Sequence, residues 1–431
     1  MKRFLSVFPP ANVQRGLWQI DRMNAPGRTE EITVPQQIAL LASMRAVHGA
    51  FSWFQIHENE LRKMQLEVSR IPAPPFGEAE RAKWLRDKFS AVGLEQVEID
   101  QIGNVIGVFP GLDRDLPVTA IGAHLDTVFP PETEIEIYEE RDRICGPGVS
   151  DNAAGLIALL AVPMAMREAK IRPECDILFI GNVGEEGEGD LRGIRHIFEK
   201  SRWKDRIDET IIIDGSGTDS IIGQALGSRR FEVIVRGPGG HSWSDFGQPN
   251  PIVAVSRIVS RFSQTPLPPS PKTTFNFGVI SGGTSVNSIP EVAQVSIDLR
   301  SVSAEELQRL EDELRGVIQT EIPTRARDGG PPKLTCELKK IGDRPAGELP
   351  HNSHLLEVFR AVDAHLGIAS QLRRASTDAN IPISMGLEAV TVGAGGAGGG
   401  AHTLREWFDP SGRSLALKRI LLAVLALAGI E

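Results

Sequence analysis

The sequence predicts an α/β protein interrupted by a separate α+β module, and three observations carry that prediction. Strand-like apolar runs alternate with helix-length segments from about residue 94 to residue 226. At Gly227 the pattern changes to longer strands with one solvated face, and after residue 342 the alternating style returns. A chain of 431 residues also exceeds what one ordinary core organises. The predicted division is an N-terminal extension over 1–35, an α/β unit built from 36–226 and 343–431, and an inserted module over 227–342.

Residues 1–35 show no period and carry Pro9, Pro10, Pro26 and Pro35, so ordered structure is expected from about Gln36. QQIALLASMRAVHGAFSWF and ENELRKMQLEVSRI have helical spacing, and EAERAKWLRDKFSAVG is a helix closed by Gly93. Strands follow in VEIDQIGNVIGVFPG and VTAIGA, then a helix in AAGLIALLAVPMAMREA. Next come a strand in CDILFIGN, a helix around LRGIRHIFEKS and a strand in ETIIID. In the insert, RRFEVIVRG, TTFNFGVISGG, VAQVSIDLRS and KLTCELKKI read as four strands, and NPIVAVSRIVSRFSQ and SAEELQRLEDELRGVIQTEI as two helices. HLLEVFRAVDAHLG, EAVTVGA and an apolar closing helix from Ile420 to Ile430 complete the chain.

Bulk properties exclude several classes of function. Lys plus Arg total 47 against 56 Asp plus Glu, and with a net charge of −9 and no long basic cluster nucleic acid is not an expected partner. Cys145, Cys175 and Cys336 are scattered without CxxC spacing, which fits packed thiols in a reducing compartment. The opening MKRFLSVFPP is broken by prolines before a secretory core forms, so a cytoplasmic location is expected. The 11 apolar residues from Ile420 fall short of the ~20 needed to span a bilayer, so no membrane association is expected.

Six metal-competent side chains stand where apolar runs or a glycine-rich loop end. They are His124 and Asp126 after VTAIGA, Glu185 and Glu186 after ILFIGNVG, Asp214 after TIII, and His402 after GAGGAGGGA. In an open α/β sheet such loops converge at the carboxyl edge, where ligands bind. Asp151 in GPGVSDNAAG joins them, giving the inventory of a two-metal hydrolase. Taken singly, each has an ordinary alternative. His124 can be a packed histidine, Asp151 a helix N-cap, and Glu185 with Glu186 a solvated acidic loop. Adjacent carboxylates repel unless a cation or proton lies between them, and Asp214 is costly to bury unpaired. GAGGAGGGA lacks the Lys and Ser or Thr of a phosphate loop, and no G-x-S-x-G elbow is present.

GAHLDTV, GPGVSDNAAG, GNVGEEGEG, IIIDGSG, GPGGHS, GGTSVNSIP and GGGAHTLREW together resemble the aminoacylase and glutamate carboxypeptidase family of co-catalytic zinc peptidases, in its peptidase T-like branch. The resemblance implies a zinc-peptidase-like three-layer α/β/α catalytic domain with a ferredoxin-like dimerisation or lid domain inserted. It implies that His124 and Asp214 hold one metal, Glu186 and His402 the other, and Asp151 bridges both through a cis peptide to Asn152. Glu185 is then the general base, Asp126 the orienter of His124, and Glu406 a supporting residue. His241 would stabilise the oxyanion across a dimer interface, and Asn287 and Arg300 would grip a substrate carboxylate. The cofactors implied are two divalent ions, zinc first, with cobalt or manganese tolerated by such ligands. The activity implied is hydrolysis of short peptides by a hydroxide held between the metals. Two alternatives remain: removal of an N-acyl, N-carbamoyl or glutamyl group from an amino acid, and a non-catalytic metal-binding scaffold.

Overall fold

A computed structural model describes residues 32–322 and 333–431. Most of the expected extension, and with it the MKRFLSVFPP stretch, lies outside the described residues. Helices α1 (Val34–Ser43), α2 (Arg45–Ile56), α3 (Glu58–Ser69) and α4 (Ala79–Val92) come first. Ordered structure begins slightly earlier than expected: Pro35 sits in the first turn of α1, where its missing N–H is harmless, and Thr33 N–H donates to Gln36 Oε1 at 2.9 Å. The long helical run expected from Gln36 is two helices, because Met44 is extended at φ −68°, ψ 136°. Gly93, at φ +82°, closes α4 as expected.

The chain continues through β1 (Glu95–Ile99), β2 (Val105–Phe109), β3 (Val118–His124), β4 (Tyr138–Glu140), β5 (Arg143–Cys145), α5 (Ala153–Glu168), β6 (Ile177–Asn182), α6 (Arg192–Glu199), β7 (Ile207–Ile213) and β8 (Ser220–Ala225). The insert follows as β9 (Gly227–Arg236), β10 (Gly240–His241), α7 (Pro251–Phe262), β11 (Thr273–Gly282), β12 (Ser288–Ile289), β13 (Val292–Ser301), α8 (Ala304–Glu321) and β14 (Thr335–Arg344). The return comprises β15 (Gly347–Glu348), α9 (His354–Leu366), β16 (Gln371–Ala375), α10 (Asn380–Ser384), β17 (Glu388–Val392), β18 (Ala397–Gly399), β19 (Trp407–Asp409) and α11 (Arg413–Ala428).

The main sheet runs β1-β2-β6-β3-β7-β17-β8-β15, with β16 also on β8, and its centre, β6-β3-β7-β17, is parallel. All seven residues of β3 and all six of β6 are buried, so both faces are covered, as the layered fold requires. The insert's sheet, β11-β13-β9-β14, is antiparallel throughout, and β13 alternates between buried and partly exposed residues. Its buried face packs on α7 and α8 around Phe231, Phe262 and Leu310. Asn250 and Ser303 cap these two helices.

The closing helix is longer than expected. It starts at Arg413 and ends at Ala428, because Arg419 does not mark its edge. Instead Arg419 is buried within it, with Nε 2.6 Å from Asp363 Oδ1 and Nη2 2.7 Å from Oδ2 of the same carboxylate in α9. A forked pair of this kind lets a charge enter the core. No described helix is long and apolar enough to cross a membrane.

Candidate metal centre

Parallel pairing of β3 with β6 and β7 sets their carboxyl ends side by side. His124 is the last residue of β3, Glu185 stands three residues beyond β6, and Asp214 directly follows β7. Asp151 enters from the turn before α5. Its neighbour Asn152 caps α5 by accepting from Gly155 N–H at 3.1 Å and donates Nδ2 to the Ile213 carbonyl at 2.9 Å. That tie requires glycine at 155, since a Cβ there would lie 2.1 Å from Asn152 Oδ1 and 2.8 Å from the Ile213 oxygen. The Asp151–Asn152 peptide is cis. His402 lies between β18 and β19 in the left-handed region at φ +63°.

These side chains converge on the two oxygens of Asp151. Oδ1 lies 3.1 Å from His124 Nε2, which is itself 3.8 Å from Asp214 Oδ1. Oδ2 lies 3.1 Å from His402 Nε2, which is 3.0 Å from Glu186 Oε1. Within each of the trios His124–Asp151–Asp214 and Asp151–Glu186–His402, the candidate ligand atoms lie within 4.8 Å of one another. His124, Glu185 and Glu186 are buried, while the His402 side chain is 56 % exposed, so the centre opens on that side.

Electrostatics show what this arrangement suits. Burial works against a charged His124, yet Asp126, Asp151 and Asp214 outweigh it and hold the ring's proton affinity well above normal. Hydrogen bonds donated to Asp151 and then to Glu186 raise His402 to about 10. Burial opposes ionisation of Asp151, and the two histidines overcome it and lower its pKa. Glu185 goes the other way: burial pushes its carboxyl well above the usual range, against the pull of Arg344 and His124. Clustered anions that draw protons onto two imidazoles suit divalent cations, and two trios sharing one carboxylate fit two ions.

Two supporting residues fix the loops. Glu406 accepts hydrogen bonds from Gly148 N–H at 2.8 Å and from Ser150 and Asp151 N–H at 2.7 Å, so it holds the backbone that presents Asp151. Asp126 divides its work differently from the expectation. Its main-chain oxygen, at 3.1 Å, orients His124 Nδ1, and its carboxylate stands 3.7 Å away, beyond hydrogen-bond length. That carboxylate accepts instead from Glu185 N–H at 3.0 Å and Glu186 N–H at 2.7 Å.

The insert's expected residues are not brought to this cluster within one chain. His241 is exposed in the short β10–β12 ladder, its N–H bound to Asp245 Oδ2 at 2.7 Å and its Nδ1 accepting from Trp243 N–H at 3.2 Å. Asn287 is its neighbour, accepting Ser242 N–H at 3.0 Å through its carbonyl. Arg300 pairs with Asp298 at 2.7 Å near the other end of β13, opposite Ser228. About eight strand residues, roughly 25 Å, separate Arg300 from the end of β13 that follows Asn287.

Two buried groups at the centre escaped the sequence reading. Arg344 Nη1 lies 3.0 Å from Glu185 Oε1, and Asp378 accepts from Asn182 Nδ2 at 2.7 Å, with its pKa raised by burial to about 7. Arg344 sits in GDRPAG and Asp378 in STDAN, which read locally as a turn and a helix start, so neither advertised a site.

Comparison with known proteins settles the family. The model for peptidase family M20/M25/M40 matches residues 120–426. The chain belongs to that family. It is 24 % identical over 355 residues to the uncharacterized protein YqjE of Bacillus subtilis, covering 79 % of this chain and 91 % of that one. It is 24 % identical over 279 residues to the N-acetyldiaminopimelate deacetylase of Priestia megaterium, covering 61 % and 71 %. Among solved structures, a Staphylococcus aureus tripeptidase superposes with a TM-score of 0.70 at 21 % identity over 86 % of this chain and 98 % of that one. The aminopeptidase PepT of Bacillus cereus gives 0.68 at 21 % identity over 85 % and 98 %. These likenesses are of fold and support the fold class, while membership of the peptidase family rests on the match over residues 120–426.

Proposed function

We propose that this chain is a dinuclear metal-dependent exopeptidase that hydrolyses amide bonds of short peptides, of the di- or tripeptide aminopeptidase kind. One observation carries the reading: the carboxylate of Asp151 presents its two oxygens to two separate donor sets. In this reading His124 and Asp214 hold one ion and Glu186 and His402 the other, with Asp151 between them. Bound there, zinc, or cobalt or manganese in its place, supplies Lewis acidity and lowers the pKa of water.

The protein's own groups do the rest. Glu185 forms a further close group with His124 and Glu186 but belongs to neither trio that shares Asp151, and its raised proton affinity suits a base that takes a proton from water and returns it to the leaving amine. His241 acts on a second copy's substrate, with its neighbour Asn287 binding the substrate carboxylate; Arg300, paired with Asp298 near the far end of β13, reaches that carboxylate only if it comes from the other copy. Supporting dimerisation, the edge strand β11 exposes Val279 and Ile280, and Val286, Trp243 and Phe246 are exposed around the His241 ladder. The inserted unit, expected over 227–342 and carried to Arg344 by strand β14, is therefore the dimerisation module, and 36–226 with the chain after Arg344 the catalytic one. Three free cysteines support a cytoplasmic location.

A second reading is favoured by the deacetylase relative and by a Burkholderia vietnamiensis amidase of the hydantoinase/carbamoylase family, which superposes at a TM-score of 0.64. It makes the substrate an N-acyl or N-carbamoyl amino acid. Release of free amino acid from a tripeptide panel, run beside both N-substituted sets, separates the two. Glu185→Gln should retain both metals and lose about 10²–10⁴ in kcat. Silence of the metal-loaded wild type on every panel would sink both enzymatic readings.

A further inference from the structure

Arg344 is the last residue of β14, paired in register with Ser228 of the insert's sheet, yet its side chain works in the other unit. That side chain is 7 % exposed. Its Nη1 lies 3.0 Å from Glu185 Oε1 and 3.3 Å from Ser376 Oγ, and its Nη2 donates to the Glu185 main-chain oxygen. The same strand end holds the loop after β6 again: Asp343 N–H donates to Asp190 Oδ1 and Oδ2 at 3.0 and 2.9 Å, and Arg195 of α6 donates to the Asp343 carbonyl at 2.8 Å. Glu185 is thus gripped from two sides. Asp126 of the main unit holds its N–H, and Arg344 of the insert holds its carbonyl and its carboxylate.

We infer that Arg344 is a positioning residue: its guanidinium sets the orientation of Glu185 and ties it to the placement of the insert. The inference rests on the proposed role of Glu185. An unrestrained glutamate samples several rotamers, and Glu186 beside it repels its carboxylate. A planar fork that meets a side-chain and a main-chain oxygen of one residue removes that freedom, whereas an ammonium point donor does not. Because the fork is carried by β14, a shift of the insert's sheet moves the groups that hold Glu185.

The test uses full-length wild type, Arg344→Ala, Arg344→Lys, Glu185→Gln and a surface control, Arg315→Gln. Amide exchange of the metal-free proteins comes first, because it depends on no substrate. Residues 183–191 should exchange about ten-fold faster in Arg344→Ala, with 118–124 and 207–213 protected as in wild type. If those strands also lose protection in the alanine variant, Arg344→Lys decides in its place. With both metals bound, Arg344→Ala should lose about 10–100-fold in kcat with KM nearly unchanged, and added guanidinium should restore part of the rate. Unchanged exchange in 183–191, a wild-type kcat, or a loss that appears wholly in KM would each overturn the inference. Glu185→Gln separates the two levels. Full turnover by that variant removes the base assignment itself, while its silence beside a fully active Arg344→Ala removes only the positioning role.

Discussion

Asp151 shows how one residue organises the centre, because each oxygen of its carboxylate faces a different histidine at 3.1 Å. Such a residue must itself be held, and Glu406 does this through three main-chain N–H groups at 2.7–2.8 Å. Replacing Glu406 by Ala leaves those donors buried and unpaired and lets the turn relax. Metal affinity should fall about 10–100-fold, measured by zinc competition with a chromophoric chelator. Unchanged affinity would show that the turn holds its shape without the carboxylate.

The start of α5 illustrates how an element's sequence answers to its neighbours. Alanine in place of Gly155 would favour an isolated helix by about 1 kcal/mol. Here the added Cβ meets Asn152 Oδ1 at 2.1 Å, so the clash decides, and Gly155→Ala should destabilise by about 1–3 kcal/mol in urea unfolding. In β7, Glu209 pairs in register with Glu388 of β17, and burial first, then Asp208 and Glu388, raises its carboxyl from 4.5 to about 8. The folded chain therefore binds this proton more tightly than the unfolded one. The stability it contributes is present below pH about 4.5 and is lost as pH rises through about 8. Glu209→Gln should flatten that slope and be more stable than wild type above pH 8 by about 1–3 kcal/mol, allowing for its partial exposure. Parallel urea midpoints at pH 5 and pH 9 read this directly.

At the scale of the whole molecule, a single chain leaves His241 exposed and away from the carboxylates, so the proposed site is complete only in a dimer. Val279→Asp on the β11 edge should give a monomer by sedimentation and abolish turnover with metals bound. Mixing inactive His241→Ala with inactive Glu185→Gln and exchanging subunits should restore about a quarter of wild-type activity, since half the dimers are mixed and each has one intact site. No recovery after verified exchange would place His241 in its own chain's site, or in none.

Much of this molecule is legible from local pattern. The strand–helix alternation, the four strands and two helices of the insert, and the ligands at strand ends all follow from periodicity and from residue types that are expensive to leave unpaired, such as Asp214 behind three isoleucines. The short strands β15, β16, β18 and β19 were not legible, because two to five residues carry no period and form only against partners distant in sequence. The closing helix extends beyond its apolar stretch because Arg419, which in sequence resembles a boundary, is buried against Asp363 of α9. Sequence by itself determined which side chains are available and that strand ends bring them together. Only the tertiary structure decided that Asp126 serves Glu185 and Glu186, and that Arg344, 159 residues beyond Glu185 in sequence, reaches it from the insert's sheet. Those assignments depend on distances between separate segments, which local sequence does not encode.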